Sequence, residues 1–559
     1  MMPNNNFRET IRWGLLAGVI LLSISAIGMV EAFNERDIIT GVFAMGQLVI
    51  LSGPLLATYF LTRPKTEDEN RNAAQMILRG FVIGVLTAVP VVILILVTLV
   101  WTNIRDFLVN VSPALVEILT FGLTPIVGSL VLIGIMAVLG IVGAVIHLIP
   151  EKVRKPLTTA IIWTVGIGVL SDILLNILRP WLGRQITAIF FGSKGITVIT
   201  AVIIFVVALV AKIWWDHQGN EQYRSRREQM TPEQNDLSRK TLIGLGIIVM
   251  LILPAILGTY LTEVLDNVGL FILMGLGLNI VVGYAGLLDL GYVAFFAIGA
   301  YVMGILTSTG DLGVAGISFW LALPISVAVS VLFGITLGVP VLKMRGDYLA
   351  IVTLGFGEII RVLAQSDLLK EVIGGAQGIL QIGKPEVFGM TLLRPQQFYY
   401  LILAACLLAI FVSWKMRDAR LGRQWMAMRE DEDVAEAMGI HLVKTKLLAF
   451  GMGAAFSGLA GAIFASRLSS IFPNSFNLLI SINVLSLIIV GGIGSLPGVI
   501  VGALVLVGLP ELLREFAEYR LLLYGVLLIV MMVTRPEGLW PSSVTRRELH
   551  HEPEMSPGD

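Results

Sequence analysis

Lys415-Met-Arg-Asp-Ala-Arg-Leu-Gly-Arg423 and Met428-Arg-Glu-Asp-Glu-Asp-Val-Ala-Glu-Ala-Met-Gly-Ile440 lead into Leu447-Leu-Ala-Phe-Gly-Met-Gly-Ala-Ala-Phe-Ser-Gly-Leu-Ala-Gly-Ala-Ile-Phe464. The last of these is an apolar run of the length a helix needs to cross a bilayer, about twenty residues. Its Gly451, Gly453, Gly458 and Gly461 let neighbouring backbones come close, which is how helices associate in lipid. Gly451-x-Gly453 follows no strand, so it is not a dinucleotide fingerprint. The charged part, residues 415–446, reads as a long polar helical segment between two hydrophobic runs. A connection between two helices needs only a few residues, so this one reads as a surface on which another protein pushes.

The composition agrees. Of 559 residues, 56% are hydrophobic and 14% charged, against about a quarter charged in water-soluble domains. Apolar runs of about twenty residues recur along the chain, the pattern of a polytopic helical membrane protein. The alternating segments of about ten residues that a transmembrane barrel needs are missing. A formal net charge of zero gives no reason to expect nucleic acid. Cys406, the single cysteine, supports neither a disulfide framework nor a zinc site and reads as buried filler. Arg8 and Arg12 before the run 13–30 resemble a signal peptide, but the run is long and many spans follow, so it reads as a first membrane helix.

The expected fold class is all-α, a polytopic membrane protein of about 15 or 16 transmembrane segments in two blocks. Residues 1–215 hold about six of them, at 13–30, 38–61, 77–100, 115–149, 157–178 and 190–213. Residues 216–240 are polar and carry Thr231-Pro232, which reads as a linker. Residues 241–540 hold the rest, at 241–262, 265–283, 290–308, 317–341, 348–365, 397–414, 444–466, 480–491, 497–512 and 519–534. Residues 541–559 read as a disordered tail. Basic residues cluster in alternate loops: Arg63, Lys65, Arg71 and Arg79, then Lys152, Arg154 and Lys155, then Lys212 to Lys240, then Lys343 and the segment 415–446. The positive-inside rule puts those loops, the linker, the tail and both termini in the cytoplasm. Arg179, Arg184 and Lys194 run against that scheme.

Two stretches echo each other. Gly283-Tyr-Ala-Gly-Leu-Leu288 and Gly491-Gly-Ile-Gly-Ser-Leu496 share the pattern G-x-x-G-x-L, and each precedes a span rich in small residues. Paired glycine-interrupted spans are a mark of internal repeats in transporters and tend to flank the permeation path.

Candidate chemistry is sparse. No G-x-x-x-x-G-K-[ST] loop occurs, so ATP hydrolysis by this chain alone is not expected. No His-x-x-x-His or Cys-x-x-Cys spacing points to a metal. Ionisable residues inside apolar spans are costly and therefore candidates. Glu358 and Arg361 lie about 15 Å into their span at 1.5 Å per residue, and their i, i+3 spacing lets them pair on one face. Such a pair would point into the bundle, either lining the solute path or packing only. Asp172 and Asp289 are similar, and Asp289 sits where it can cap the next helix. Asn279, Tyr284 and Asn483 can bond a polar solute or neighbouring helices. Gly374-Gly-Ala-Gln-Gly378 lies in the longest outward loop, where three glycines permit close backbone approach or a turn.

The stretch Gly283-Tyr-Ala-Gly-Leu-Leu-Asp-Leu-Gly-Tyr-Val-Ala-Phe-Phe-Ala-Ile-Gly-Ala-Tyr301 resembles the permease subunits of branched-chain amino acid ABC importers, the LivM type. So do Arg345-Gly-Asp-Tyr-Leu-Ala-Ile-Val-Thr-Leu-Gly-Phe-Gly-Glu-Ile-Ile-Arg361, the loop 374–378, the block 429–440 and Gly491-Gly-Ile-Gly-Ser-Leu-Pro-Gly498. The resemblance spans residues 265–540 in the family's order. It implies an ABC-importer permease fold and import of leucine, isoleucine and valine across a bacterial or archaeal cytoplasmic membrane. It also implies a homologous second permease subunit, two ATPase subunits and an extracytoplasmic binding protein. ATP would be hydrolysed on the partners, with no cofactor on this chain. The block 429–440 is similar to the coupling segment that docks on an ATPase, with Glu432, Ala435, Glu436 and Gly439 as its contact positions. The solute path would run near Asn279, Tyr284, Asp289, Glu358, Arg361, Gly374, Gly375, Gln377, Gly491 and Gly492. The family usually has a small polar residue at Asp289 and Ser-Asp at Ala376-Gln377, which bears on the solute. Residues 1–240 have no counterpart in the usual member and read as a scaffold, a fused segment or a docking site.

Other classes fit less of the sequence. An ion-coupled secondary transporter would use Glu358, Arg361 or Asp289 for protons but gives the segment 415–446 no purpose. A membrane scaffold would not need the ordered motifs. Within ABC permeases, urea, short amides, pentoses or nucleosides are the competing solutes.

Overall fold

The computed structural model describes residues 4–541 except 63–72, 102, 220–231, 311, 315, 342, 343, 345, 388 and 513–518. Residues 220–231 of the expected linker, the tail from 542, and basic loop residues such as Arg63, Lys65, Arg71 and Lys343 lie outside the described residues, and residues 232–240 of that linker are helical. The chain divides into two compact units, Met1–Leu242 and Ile243–Asp559.

The first unit contains α1 (Asn4–Ala26), α2 (Met45–Leu61), α3 (Ala73–Val100), α4 (Pro125–Val145), α5 (Glu151–Val169), α6 (Ser171–Phe190) and α7 (Val198–Trp214). Helices α3 and α4 meet through small residues. A Cβ added at Gly84 would stand 2.7 Å from Ala137 Cα, and one at Gly80 would stand 2.9 Å from Gly140 C. Leu21, Ile50, Val91, Leu94, Leu115 and Met136 fill the space around that contact. The apolar run at 38–61 is not helical throughout. It starts as a hairpin, β1 (Asp37–Ile39) against β2 (Phe43–Ala44), turning at Gly41 with φ +74°, and becomes α2 only at Met45. Helices α5 and α6 meet at a bend of 71°, and Asp172 beside that bend pairs with Arg36.

The second unit is entered along α8 (Pro232–Leu278). Its 47 residues would measure about 70 Å if straight, more than twice the hydrocarbon core of about 30 Å. It is kinked at Gly258, where φ is +73°. The elements that follow are α9 (Val293–Thr307), α10 (Phe319–Val341), α11 (Asp347–Gln365), α12 (Pro395–Asp418), α13 (Arg420–Glu430), α14 (Glu432–Ala437), α15 (Leu442–Leu468), α16 (Leu478–Gly491), α17 (Leu496–Ala503) and α18 (Arg520–Thr534). Small two-residue strands tie the loop after α11 to the end of α15: Ile379 pairs with Ile471 and Leu380 with Ser470.

Helix α15 is the most buried of the candidate spans among the described residues. Its glycines explain how α9 and α10 reach it. A Cβ at Gly299 of α9 would stand 2.6 Å from Gly458 Cα, and one at Gly461 would stand 3.0 Å from Ala300 N. Gly453 is as tight, 2.6 Å from Val281 Cγ2. Gly451 is the exception to the expectation that all four glycines serve close packing, since its nearest neighbour, Ile335 Cγ1, is at 3.5 Å, an ordinary contact.

Among the described residues, nine helices are long and apolar enough to cross a membrane, or up to eleven if each bent pair is one span. The chain is an all-α, multi-pass membrane protein. The expected count of about 15 or 16 treated every apolar run as a span, but some runs form shorter helices. Helix α9 has 15 residues, about 22 Å at 1.5 Å per residue.

Gly299→Val and Gly461→Val are expected to lower the unfolding midpoint of the purified protein, at an overpacking cost of about 1–3 kcal/mol or more. Gly451→Ala should be neutral. Thermal unfolding in detergent checks the contrast, and equal effects at all three sites would contradict the packing described.

Candidate functional site

The polar segment is not one long helix: two short helices, α13 and α14, stand between the end of α12 and the start of α15. It breaks at Ala419 and at Asp431, both in extended backbone. Asp431 caps α14, its carboxylate accepting from the amides of Asp433 at 2.9 Å and Val434 at 3.0 Å. The other end of α14 is a Schellman motif, with Ile440 N–H donating to Ala435 O at 3.0 Å and Gly439 N–H to Glu436 O at 2.9 Å. Gly439 has φ +87° with open space about its Cα, so this backbone requires glycine whatever it touches.

The segment is fastened to the bundle on its inner face. Trp425 is fully buried and its Nε1–H donates to Thr445 O at 2.9 Å. Lys446 is buried, and its Nζ lies 2.8 Å from Glu432 Oε1. Ala435 is 2% exposed and belongs to the core. Of the four contact positions expected from the resemblance, Glu432 and Ala435 therefore face this chain's own core, while Glu436 and Gly439 face outward. Beside them, Val434 and Met438 are 59% and 80% exposed. An i, i+4 apolar pair on the outer face of a polar helix is a signal the sequence contained and that reading by charge passed over.

The two G-x-x-G-x-L stretches come together. A π turn, Asn279–Tyr284, ends the helical path of α8, and Asn279 Oδ1 accepts from Gly494 N–H at 2.8 Å. Gly286 and Gly494, equivalent in the pattern, both have left-handed backbones, with φ +71° and +79°. Arg429 of α13 reaches this crossing and donates from a terminal nitrogen to Gly283 O at 2.8 Å. A Cβ at Gly286 would stand 2.8 Å from Arg429 Cγ. Asn279 thus joins helices, with its Nδ2 buried and unbonded, as is the Tyr284 hydroxyl.

Between Tyr284 and α9, side chains from other helices bond the loop amides. Leu290 N–H donates to Thr353 Oγ1 at 3.0 Å, and Val293 N–H to Ser481 Oγ at 2.9 Å. Asp289 is fully buried and accepts from Gly291 N–H at 2.9 Å. The cap on α9 that Asp289 was expected to supply comes instead from Ser481. Gly491 and Gly492 serve backbone packing. Leu539 N–H donates to Val490 O at 2.8 Å and Trp540 N–H to Gly491 O at 2.9 Å.

Glu358 and Arg361 do pair, with Arg361 Nε 3.0 Å from Glu358 Oε2. The expectation that the pair points into the bundle is corrected: Glu358 is 48% exposed and Arg361 28%. Both sit on the outer face of α11, where contact with hydrocarbon would be costly for a charged pair. Glu358 also lines a small cavity with Leu290, Val293, Leu354 and Phe476. Gly374, Gly375 and Gly378 have φ of +81°, +55° and +67°, so they make a tight turn whose tip leaves Gln377 exposed.

Residues 260–532 match the family described as branched-chain amino acid transport system / permease component. The high-affinity branched-chain amino acid transport system permease protein LivM of Salmonella typhimurium is 43% identical over 303 residues, which cover 50% of this chain and 69% of that protein. The chain belongs to this permease family. LivM of Escherichia coli K12 is 42% identical with the same coverage. LivH of Salmonella typhimurium, another permease protein of such a system, is 28% identical over 161 residues, 28% of this chain and 51% of LivH. No solved structure matches the chain. The matched residues 260–532 lie wholly within the second unit.

Lys446→Met is expected to destabilise the protein by about 3 kcal/mol, because it leaves the Glu432 carboxylate part-buried without its counter-charge. Adding Glu432→Gln should recover part of that loss. A double-mutant cycle from unfolding in detergent measures the coupling, and additive losses would show that the pair is not an energetic unit.

Proposed function

We propose that this permease is the membrane-spanning subunit of an ABC importer that carries leucine, isoleucine and valine inward across the cytoplasmic membrane. The observation that carries the reading is the 43% identity to a LivM protein, joined to a polar segment with an outward face of Val434, Glu436, Met438 and Gly439. Separate ATPase subunits hydrolyse ATP, and this chain holds no cofactor. A second, LivH-like permease subunit completes the bundle, consistent with the likeness of part of this chain to LivH. A binding protein delivers the solute from outside. Both termini and the segment 415–446 lie in the cytoplasm, following the basic loops.

The chain's residues suggest the division of labour. The ATPases engage Val434 and Met438, apolar anchors of the kind that dominate interfaces when desolvated. Closure of the ATPases pushes α13 and α14, which are clamped to α15 by Trp425 and the Lys446–Glu432 pair. The push reaches the crossed glycine stretches, where α9, α16 and α17 begin or end. Helices there shift between two packings and open the path to one side or the other. The exposed Glu358–Arg361 face of α11 lines that path or meets the second permease subunit, and Gln377 stands at the outer surface.

The test is uptake of labelled leucine by the complete complex reconstituted in vesicles, with and without ATP. ATP-dependent leucine uptake is expected. Intact ATP hydrolysis without leucine uptake would redirect the solute to urea or short amides, and uptake that follows a proton gradient without ATP would overturn the ABC reading. Val434→Asp with Met438→Asp, or Glu436→Lys, should lower uptake by about tenfold or more through loss of ATPase engagement while leaving the permease folded. Wild-type uptake in all of these variants would remove α14 from the docking face.

A further inference from the structure

Arg429 bonds inward, to the membrane bundle, although it belongs to a segment read as a docking surface. Its position follows from an unmet need. A helix that ends inside protein leaves its last carbonyls without amide donors. The path of α8 ends at Tyr284, and the amides just beyond satisfy only some of its carbonyls: Ala285 N–H bonds Ile280 O at 3.0 Å and Leu287 N–H bonds Val281 O at 2.9 Å. The Gly283 carbonyl takes its bond from the Arg429 guanidinium at 2.8 Å. A cation at a helix C-terminus is also favoured by the helix dipole.

Three further features make this a built contact. Gly286, at φ +71°, leaves room for the Arg429 stem, which a Cβ there would meet at 2.8 Å. The same Arg429 nitrogen lies 3.9 Å from where a Cβ on Gly494 would stand. Asn279, one turn before Gly283, holds Gly494 N–H at 2.8 Å. One guanidinium therefore touches the first glycine stretch directly and borders the second, and the two stretches are bonded to each other.

We propose that Arg429 is a positioning residue that transmits the movement of α13 and α14 to both glycine stretches at once. The proposal rests on the transport reading above and adds to it the internal link between the docking face and the bundle. The guanidinium holds Gly283 O while its stem fills the space above Gly286. Displacement of α13 thus moves the end of α8 and, through Asn279, the turn at Gly494. Without this tie the ATPases would still close, but the bundle would follow poorly.

The experiment uses the complete complex in vesicles and measures labelled leucine taken up per ATP hydrolysed for wild type, Arg429→Gln and Arg429→Lys. The amount of ATPase subunit retained on the purified complex is measured alongside. For Arg429→Gln, uptake per ATP is expected to fall about tenfold, the size of a typical coupling between sites, with the ATPase subunit retained. Arg429→Lys, which keeps the charge but not the fork of donors, should lie between the two. An unchanged ratio in Arg429→Gln overturns the proposal, and so does release of the ATPase subunit, which would make Arg429 a docking residue. Should the Gln variant fail to accumulate, Arg429→Lys decides: a lowered ratio supports the tie, and a wild-type ratio overturns it. If wild type itself shows no ATP-dependent uptake, the transport reading fails, a result distinct from failure of the tie.

Discussion

A helix that breaks inside packed protein leaves buried amides and carbonyls without helical partners, and each group left unmet costs a few kcal/mol. The second unit depends on how it meets that demand. Thr353 and Ser481 accept from the amides of Leu290 and Val293, Asn279 accepts from Gly494, Ser495 accepts from Gly498, and Arg429 donates to Gly283. Each of these groups comes from a short polar side chain or a single arginine, and most of them bridge two elements. The breaks are therefore junctions that lock neighbouring helices to one another.

Close backbone contact is the second half of the same solution. Where two helices touch through glycine, as at Gly299 against Gly458 and Gly491 against Gly498, no side chain stands between the backbones to flex or repack. Such contacts resist gradual deformation and favour movement of whole elements. A permease needs that property, because work done at its inner surface has to arrive elsewhere as displacement rather than as local softening.

What could be read in the sequence divides along the distance over which each feature acts. The Glu358–Arg361 pair was legible because its residues are three apart, and the family could be read because its motifs are contiguous. Helical spans followed from hydrophobic length, and the echo of the two glycine stretches pointed to residues that do meet. The role of Arg429 is not legible because its partner is 146 residues away, nor that of Ser481, whose partner is 188 away. No periodicity carries that information. The direction in which Glu358 and Arg361 face is not legible for a related reason: a pair on one side of a helix does not say which side meets the bundle. The hairpin ahead of α2 was hidden inside an apolar run, since burial of a strand and of a helix draws on the same residues. Gly439 stands at an expected contact position, and its left-handed backbone demands glycine in its own right.

The residues after α18 have a consequence of a different kind. Leu539 and Trp540 bond the last carbonyls of α16, and Gly538 and Gly492 pack backbone on backbone. This stretch is thus a buckle closed over the end of α16, and Pro541 travels wherever that helix end travels. A reporter group attached at Pro541 would ride on the second glycine stretch without touching its interior, an external handle on the part of the bundle that is hardest to label from within.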